Sequence, residues 1–182
     1  MKEFKTFVLT EYEKEEEYLR NRHSEGYEFV NVSMPGFYTF KKCEPKDVVY
    51  RLDYNPDASK DKQAYILMFE DAGWEYLQDM NGYSYFRKEA DLTNELENEI
   101  FYDNESKLEM MRKIVFTKML PLLTIALVCV FPNIFNFMSM DFTTEPFGFV
   151  VFIILFLLVL LYLYIFVRLA VGYYKVKKKY KK

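Results

Sequence analysis

The sequence predicts an α+β fold in which tandem βαββ repeats form one mainly antiparallel sheet with two helices on one face. A helical connector and a two-helix transmembrane hairpin follow this domain in the prediction. Three observations support it: a sequence pattern recurs within the first 90 residues, a long uncharged run lies near the C-terminus, and the net charge changes sign along the chain.

The uncharged run covers residues 146–167, between Glu145 and Arg168, and contains 22 mostly apolar side chains. A helix of this length reaches about 33 Å, against roughly 30 Å of bilayer hydrocarbon. A buried helix of a soluble protein is the alternative, but a chain of 22.0 kDa has little mass with which to enclose a helix that has no polar face. The run therefore predicts a transmembrane helix.

The charge divides the chain into two parts. Residues 1–113 carry 16 basic and 25 acidic side chains, whereas residues 114–182 carry 8 basic and 2 acidic ones. Binding to nucleic acid phosphates needs clustered Lys and Arg, so the acidic part argues against direct nucleic-acid binding. Cys43 and Cys129 lie in different parts of the chain and are not expected to pair, which is typical of a protein in a reducing cytosol.

The repeat consists of two matched blocks in the same order. In each copy a Tyr precedes a Gly by eight residues, at Tyr18 and Gly26 and again at Tyr65 and Gly73, and each Gly is followed by aromatic, Glu, aromatic. The sequence GFYTFKK then matches GYSYFRK. Each copy is predicted to fold as strand, helix, strand, strand, over residues 4–10, 11–25, 27–33 and 37–42 and over residues 48–54, 59–72, 74–80 and 83–88.

The ends and faces of the two helices follow from local signals. Thr10 and Glu13 have the spacing of a capping box for the first helix. In the second helix, Ala64, Leu67 and Met68 fall on one largely apolar face, which is expected to pack on the sheet. Since one copy alone buries little surface, the two copies are expected to share one sheet, related by an approximate two-fold axis.

Many aromatic side chains fall on the predicted sheet, and their matching positions in both copies favour packing between strands. The open face of the sheet is the alternative location, where such side chains would contact a partner. The candidate partner surface consists of Trp74, Tyr76, Tyr83 and Tyr85.

The connector, residues 91–113, lacks Gly and Pro and is rich in helix-forming residues. Its thin apolar stripe is compatible either with a solvated helix or with an oligomerising stalk. The membrane part, residues 114–171, is predicted to contain helices at about 114–138 and 146–169, with Pro132 either ending or kinking the first.

Basic residues flank both predicted membrane helices, and the acidic residues lie in the connection between them. This bias places both termini in the cytoplasm of a multi-pass protein of the plasma membrane. The basic tail, residues 172–182, follows the second helix and is expected to mark topology, with specific lipid recognition as the alternative. The residues assigned to this headgroup and topology role are Arg168, Lys175, Lys177, Lys178 and Lys179.

The sequence offers little for catalysis. His23, the only histidine, is expected at the surface, and the acidic run from Glu13 to Glu17 is expected to be a solvated helix face. No phosphate-binding loop, nucleophile motif or metal-ligand spacing is present. We therefore expect neither an enzyme nor a bound cofactor or metal. The absence of ionisable side chains in the middle of either predicted span also argues against a transporter.

Several segments resemble the bacterial domain of unknown function 2812 family. They are DAGWE at residues 71–75, YFRK at residues 85–88, and IFYDNESK at residues 100–107. The resemblance covers about residues 1–110. It implies a Gram-positive bacterial protein whose domain is followed by membrane helices and whose gene lies beside that of a PadR-type transcriptional regulator. It implies no catalytic residue.

The sequence therefore predicts a membrane-anchored cytoplasmic interaction or sensory module, with a PadR-type regulator as the first partner to test or with self-association. The alternative is an oligomeric small membrane protein that acts on the envelope, as a channel or as immunity-type protection against membrane-active peptides.

Overall fold

A computed structural model describes residues 1–56, 61–94, 98–100, 104–125, 128 and 146–180 of the chain. The first unit contains β1 (Lys2–Phe4), a 3₁₀ turn (Leu9–Glu11), α1 (Tyr12–Ser24), β2 (Tyr27–Ser33) and β3 (Phe37–Lys42). The second unit contains β4 (Val48–Tyr54), α2 (Lys62–Asp71), β5 (Glu75–Met80) and β6 (Tyr83–Glu89). The helices α3 (Asn104–Ile114), α4 (Leu120–Ile125) and α5 (Pro146–Tyr180) follow, with a π-helical turn (Val115–Met119) between α3 and α4. The α+β class is confirmed.

The two units have the same internal arrangement. Each is a three-stranded antiparallel sheet, with the order β1-β3-β2 in the first and β4-β6-β5 in the second. The middle strand of each unit is paired with both of its neighbours, so the hairpin predicted at each turn is present. A glycine with positive φ, Gly26 or Gly73, leads from the helix into the following strand of each unit.

An irregularity in strand pairing occurs at the same place in both units. In the first unit the register shifts between Phe29 and Asn31, and in the second between Tyr76 and Gln78. A shift of this kind is a β-bulge, which bends the strand and increases its twist. The two bulges therefore fall at matching positions of β2 and β5.

The structure has two sheets where the sequence predicted one, and that prediction was wrong. The neighbouring strands β2 and β5 do not share a ladder of backbone hydrogen bonds. Instead, the Gln78 side chain accepts a hydrogen bond from the Val32 N–H and donates one to the Val32 carbonyl, both at 3.2 Å. The amide thus pairs with the edge strand β2 as a backbone peptide group would.

The two helices also lie on opposite faces of the second sheet, so the prediction of two helices on one face was wrong. On β6, Tyr85 belongs to the core cluster that contains α1, whereas Phe86 belongs to the cluster that contains α2. Adjacent residues of a strand point to opposite faces, which fixes this placement. The helix α1 therefore packs between the two sheets, and α2 packs on the outside of the second.

The expected packing face of α2 was wrong as well. Leu67 and Met68 are exposed, and the helix instead packs through Tyr65 and Phe69. The ring centroids of Phe69 and Phe86 are 4.3 Å apart. Two aromatic side chains at i and i+4 provide the larger apolar contact with this sheet, so they define its buried face.

In the part of the connector that the structure describes, the α-helix is limited to α3. Before α3, the Asp91 side chain accepts hydrogen bonds from the backbone of Thr93 and Asn94, and Asn98 bonds to the backbone of Asp91. These local bonds compete with helix formation, which explains why residues 91–94 were wrongly predicted as helical. The predicted end of the first membrane helix and Pro132 lie outside the described residues.

The helix α5 is continuous over 35 residues, so residues 172–180 form its last turns and are not a separate tail. Among the described residues it is the one helix whose length and composition suit a membrane span, with a mean hydropathy of 2.1 over Phe156–Lys175. Its exposed apolar side chains include Leu157, Leu161 and Leu163. The C-terminal turns of α5 pack on the domain at Arg168 and Gly172.

Candidate functional site at the junction of the domain and the long helix

The residues predicted as a partner surface are largely inside the domain. Trp74, Tyr83 and Tyr85 are buried, and Tyr76 is half-buried against Phe86. Tyr83 and Tyr85 pack in the cluster around α1, and Trp74 packs beneath α2, so the four do not share one surface. Their assignment as a partner surface was wrong for the three buried residues, because both faces of the second sheet are covered.

The first sheet has a bare face instead. Phe4 and Phe37 are exposed, with ring centroids 5.1 Å apart. Met34 and Val30 are exposed nearby on the same unit. Buried and more exposed residues alternate along the first part of β3, as expected for a strand whose sheet is covered on one face only.

Helix α1 carries polar groups into the space between the sheets. One carboxylate oxygen of Glu15 accepts hydrogen bonds from the hydroxyls of Tyr38 and Tyr85, each at 2.6 Å. Tyr38 lies on β3 and Tyr85 on β6, so this single side chain connects both sheets to α1. Burial raises the pKa of Glu15, and the two tyrosine hydrogen bonds act in the opposite direction.

The neighbouring Glu16 is buried too, against the edge of β4. Its carboxylate accepts a hydrogen bond from the Leu52 N–H at 2.8 Å, and Arg51 lies 3.6 Å away. Burial outweighs the charge of Arg51 and raises the pKa of Glu16 to about 8. The prediction that the acidic run is a solvated face was therefore wrong for Glu15 and Glu16.

His23 was predicted at the surface but is buried next to the second sheet. Its Nδ1 lies 2.7 Å from the Tyr50 hydroxyl, and burial lowers its pKa. A partial signal for this burial is the apolar start of β4 at Val48, Val49 and Tyr50, and the strand is buried at every position except Arg51. Such a strand is covered on both faces, and the second cover is α1.

The 3₁₀ turn that begins α1 contacts the C-terminal part of α5. Arg168 of α5 forms an ion pair with Glu11 at 3.0 Å, and Gly172 lies directly against the Thr10 side chain. A Cβ at position 172 would overlap Thr10, so this close approach requires glycine. A hydrogen bond from Lys14, then the Val8 N–H and the charge of Arg168, lower the pKa of Glu11 although partial burial opposes them.

A second helix joins the domain at the same junction. Met111 and Ile114 of α3 are fully buried in the core cluster between the sheets. Just beyond them, Tyr54 of β4 and Thr117 share a hydrogen bond of 2.6 Å. The Leu9 carbonyl accepts a hydrogen bond from the Tyr83 hydroxyl, which links the 3₁₀ turn to the second sheet. The second sheet, α3 and the start of α1 thus meet at one end of the domain.

The π-helical turn lies where α3 leaves the domain. Proline has no N–H and its ring crowds the preceding turn, so Pro121 disfavours regular α-helical bonding before it. A wider turn over Val115–Met119 accommodates this, and the Leu120 N–H bonds to the Val115 carbonyl. Wide turns of this kind often occur at functional positions in helices.

The predicted headgroup residues follow one another along the last turns of α5. Arg168 is paired with Glu11, and Lys175, Lys177 and Lys178 are exposed. The Lys177 ammonium lies 5.8 Å from the centre of the Tyr173 ring. Lys179 lies in the same helix. These residues therefore belong to a helix that contacts the domain.

The contacts at the junction connect α5 with the domain. Within the described ranges, no group of three or more His, Cys, Asp or Glu side chains is placed to hold a metal ion. The junction joins a helix of membrane-spanning length to a turn that continues directly into α1, and α1 is bonded to both sheets. One series of contacts thus links α5, the 3₁₀ turn, α1 and both sheets.

A family model described as "Protein of unknown function (DUF2812)" matches residues 11–125, which include most of both units, α3 and α4. No curated protein and no solved structure matches the chain.

Proposed function

The chain belongs to the DUF2812 family of proteins of unknown function, and from its geometry we propose that it is a membrane-anchored cytoplasmic interaction or sensory module. The main observation behind this proposal is that α5 has two parts with different surroundings. Its apolar turns have the length of a bilayer span, and its last turns pack on the 3₁₀ turn before α1. A single rigid helix therefore connects the membrane to the domain.

The proposed topology is a two-helix hairpin in the plasma membrane, with both termini in the cytoplasm. The close packing of α3 against α5 beside the domain supports it, since both helices approach the membrane from the same side. Arg112 and Lys113 lie before the first span, Lys118 lies in its first turns, and Arg168 lies at the end of the second. This distribution agrees with the preference of basic residues for the cytoplasmic side.

We propose further that the two units are copies of one ancestral βαββ unit. Equal strand order, matched bulges and matched glycines support this. The copies are stacked, with α1 between the two sheets and α2 outside. In this arrangement the first helix contacts both copies, and it is also the helix that the junction connects to the membrane.

The partner in this proposal is a cytosolic protein, with a PadR-type transcriptional regulator as the first to test. The bare face of the first sheet, around Phe4 and Phe37, offers exposed aromatic side chains for such a contact. Exposed aromatic side chains of this kind are common at protein interfaces.

The test is photo-crosslinking in living cells from a benzophenone amino acid at Phe37, with the same substitution at the exposed Leu67 of α2 as the control. The proposal expects membrane fractions to contain an adduct between the chain and a cytosolic protein at position 37. Adducts of the chain with itself alone would support the oligomeric envelope protein instead. No adduct at either position under any growth condition would contradict an interaction module.

Topology is tested with cysteine labelling. In a chain carrying Cys43→Ser and Cys129→Ser, Leu67→Cys is expected to react with a membrane-impermeant maleimide only after the cells are permeabilised. Labelling in intact cells would place the domain outside the cytoplasm.

A further inference from the structure

A cavity of about 340 Å³ lies where α1, the strand β4 and the connector meet. The strand β4 is at the edge of the second sheet and pairs with β6 on one side only. On its other side, two backbone groups are bound by side chains. The Leu52 N–H donates a hydrogen bond to Glu16, and the Tyr50 carbonyl accepts one from Arg51, each at 2.8 Å. Side chains thus take the place of a further strand along this edge.

Arg51 lies between two carboxylates that belong to different elements. One of its nitrogens donates a hydrogen bond to Glu99 of the connector at 2.8 Å, and another is 3.6 Å from the Glu16 carboxylate of α1. Only the shorter of these distances is a hydrogen bond. Glu99 also pairs with Lys107 of α3 at 3.1 Å. The Arg51 guanidinium therefore holds the connector on the domain, and Glu99 extends this contact to α3.

The surroundings of Glu16 disfavour its ionised form. The residue is only 8% exposed, and within the described residues its carboxylate has one hydrogen bond, from Leu52. Burial is the largest cause of its raised pKa, which is about 8. The charge of Arg51 and the Leu52 N–H lower this pKa, and the carboxylates of Glu99 and Glu13 raise it. At neutral pH, Glu16 is therefore mostly protonated while the connector is docked.

The remaining charged groups that line the cavity come from α1 and α3. They are Glu13, Glu17, Arg20 and Lys107. Arg20 is bonded through two nitrogens to Asp47, at 2.6 and 2.7 Å. Glu17 is exposed to water, where its charge is screened. Among the described cations that line the cavity, Arg51 is the one that forms an ion pair with Glu16, so Arg51 responds when Glu16 loses its proton.

We propose that Glu16, Arg51 and Glu99 form a pH-sensitive latch, which fastens the connector to the domain while Glu16 is protonated and releases it when Glu16 is ionised. Loss of the proton places a second negative charge near Glu99 and draws Arg51 towards Glu16. In the released form Arg51 bonds to Glu16 and the repulsion from Glu99 is gone, so the pKa of Glu16 is lower there. Docking is thus favoured at low pH and is lost as the pH rises through about 8.

The latch gives the domain a chemical input, the proton concentration around it. Its output is the attachment of the segment that leads into α3. The three residues lie outside both predicted membrane spans, so the inference goes beyond the proposed function and does not require α5 to cross the bilayer.

The experiment measures how fast a maleimide reacts with a cysteine in the connector of the full chain, in detergent micelles and with Cys43→Ser and Cys129→Ser. Ile100→Cys reports release, because Ile100 packs against the cluster around Phe69 and Phe86 when the connector is docked. Leu67→Cys, at an exposed position of α2, corrects for ionisation of the thiol. The ratio of the two rates is expected to rise roughly tenfold between about pH 6 and pH 8, because release is coupled to the loss of a proton.

Three substitutions test the residues of the latch. Glu16→Gln keeps the shape of the side chain and the acceptor for the Leu52 N–H but cannot ionise, so the rate ratio should stay low at every pH. Glu99→Gln removes the charge that Arg51 holds, so the ratio should be high already at low pH and should change little. The matched control is Glu17→Gln, which removes an exposed charge of the same helix and should follow the wild-type profile.

Several outcomes would overturn the latch. A ratio that does not change with pH in the wild-type chain would mean that the connector is not released. The same rise in Glu16→Gln would assign the response to another group. An equal effect of Glu16→Gln and Glu17→Gln would mean a general effect of charge on α1. Circular dichroism follows the helical signal at each pH, and a loss of that signal together with the rise would mean unfolding of the domain.

Discussion

The two units of the domain place the same aromatic pair in opposite surroundings. Phe4 and Phe37 of the first sheet have ring centroids 5.1 Å apart, and at the equivalent positions Tyr54 and Tyr83 of the second sheet are 5.2 Å apart. The first pair is 61% and 47% exposed, the second 1% and 4%. Strand pairing is therefore a property of each unit, whereas burial depends on what packs against it.

The chemistry of the two pairs follows their surroundings. The buried pair carries hydroxyls, and both are hydrogen-bonded, Tyr54 with Thr117 and Tyr83 with the Leu9 carbonyl. The exposed pair is phenylalanine and brings no polar atom that needs a partner. The second unit thus contacts α1 and α3 through a face that the first unit leaves open.

Truncation of the matched aromatic residues is the strongest test of this comparison. Tyr54→Ala is expected to lower the free energy of unfolding by about 3–5 kcal/mol, because it opens a cavity and removes the bond to Thr117. Phe4→Ala should cost less than about 1 kcal/mol. Urea unfolding of the full chain in detergent measures both. Equal losses would mean that the face around Phe4 is covered.

The pH dependence of stability tests the difference between the two helices. Glu16 of α1 is buried with a pKa raised from 4.5 to about 8, so the native state binds more protons than the unfolded state in this interval. Stability due to Glu16 is then complete below about pH 4.5 and declines as the pH rises to 8, on the order of 1 kcal/mol per pH unit. Glu16→Gln should reduce this decline.

The control for that experiment is at the equivalent position of α2, where Gln63 is exposed. Gln63→Glu introduces a carboxyl group in water and should leave the pH profile between 4.5 and 8 unchanged. If both substitutions changed the profile to the same extent, burial of Glu16 would not be its cause.

The bulge positions allow a finer test. Gln78→Glu replaces the NH₂ group that donates to the Val32 carbonyl with a carboxylate oxygen, which should cost about 1–3 kcal/mol. At the equivalent position of the first unit Asn31 is exposed, and Asn31→Asp should change stability by less than about 0.5 kcal/mol. Chemical denaturation compares the two. If Gln78→Glu left the free energy of unfolding unchanged, the contact between the two sheets would not depend on this side chain.

The smallest difference is expected at the two glycines before β2 and β5. Gly26→Ala and Gly73→Ala both force a side chain into positive φ, at a cost of about 1–2 kcal/mol. Gly26→Ala should cost slightly more, because its Cβ would lie 3.2 Å from the Cys43 carbonyl oxygen, whereas at Gly73 only the flexible Lys88 side chain is near. Thermal unfolding of the two variants ranks them, and the reverse order would contradict the structure.

Local patterns predicted most strands well, but the first strand was expected at residues 4–10 and lies at Lys2–Phe4. The bounds of β2, β3 and β4 agree with the prediction, because alternating side chains and hairpin turns are encoded within a few residues. The prediction failed where distant residues decide. Glu15, Glu16 and His23 look like a solvated face of α1 until a second sheet covers them.

The candidate site could be predicted only in part. The basic residues after the apolar run were recognised, since composition alone shows them. The contact between Gly172 and Thr10 was not, because more than 150 residues separate the two in the chain and neither belongs to a motif.

By itself, the sequence determined the α+β class, the paired strands, the two matched units and one helix of membrane-spanning length, because these depend on short-range periodicity and on the length of an uncharged run. Only the tertiary structure decided that the units form separate sheets with α1 between them and that α5 joins the start of α1. Those features depend on which surfaces meet, and every candidate surface here is similarly aromatic, so composition does not distinguish them.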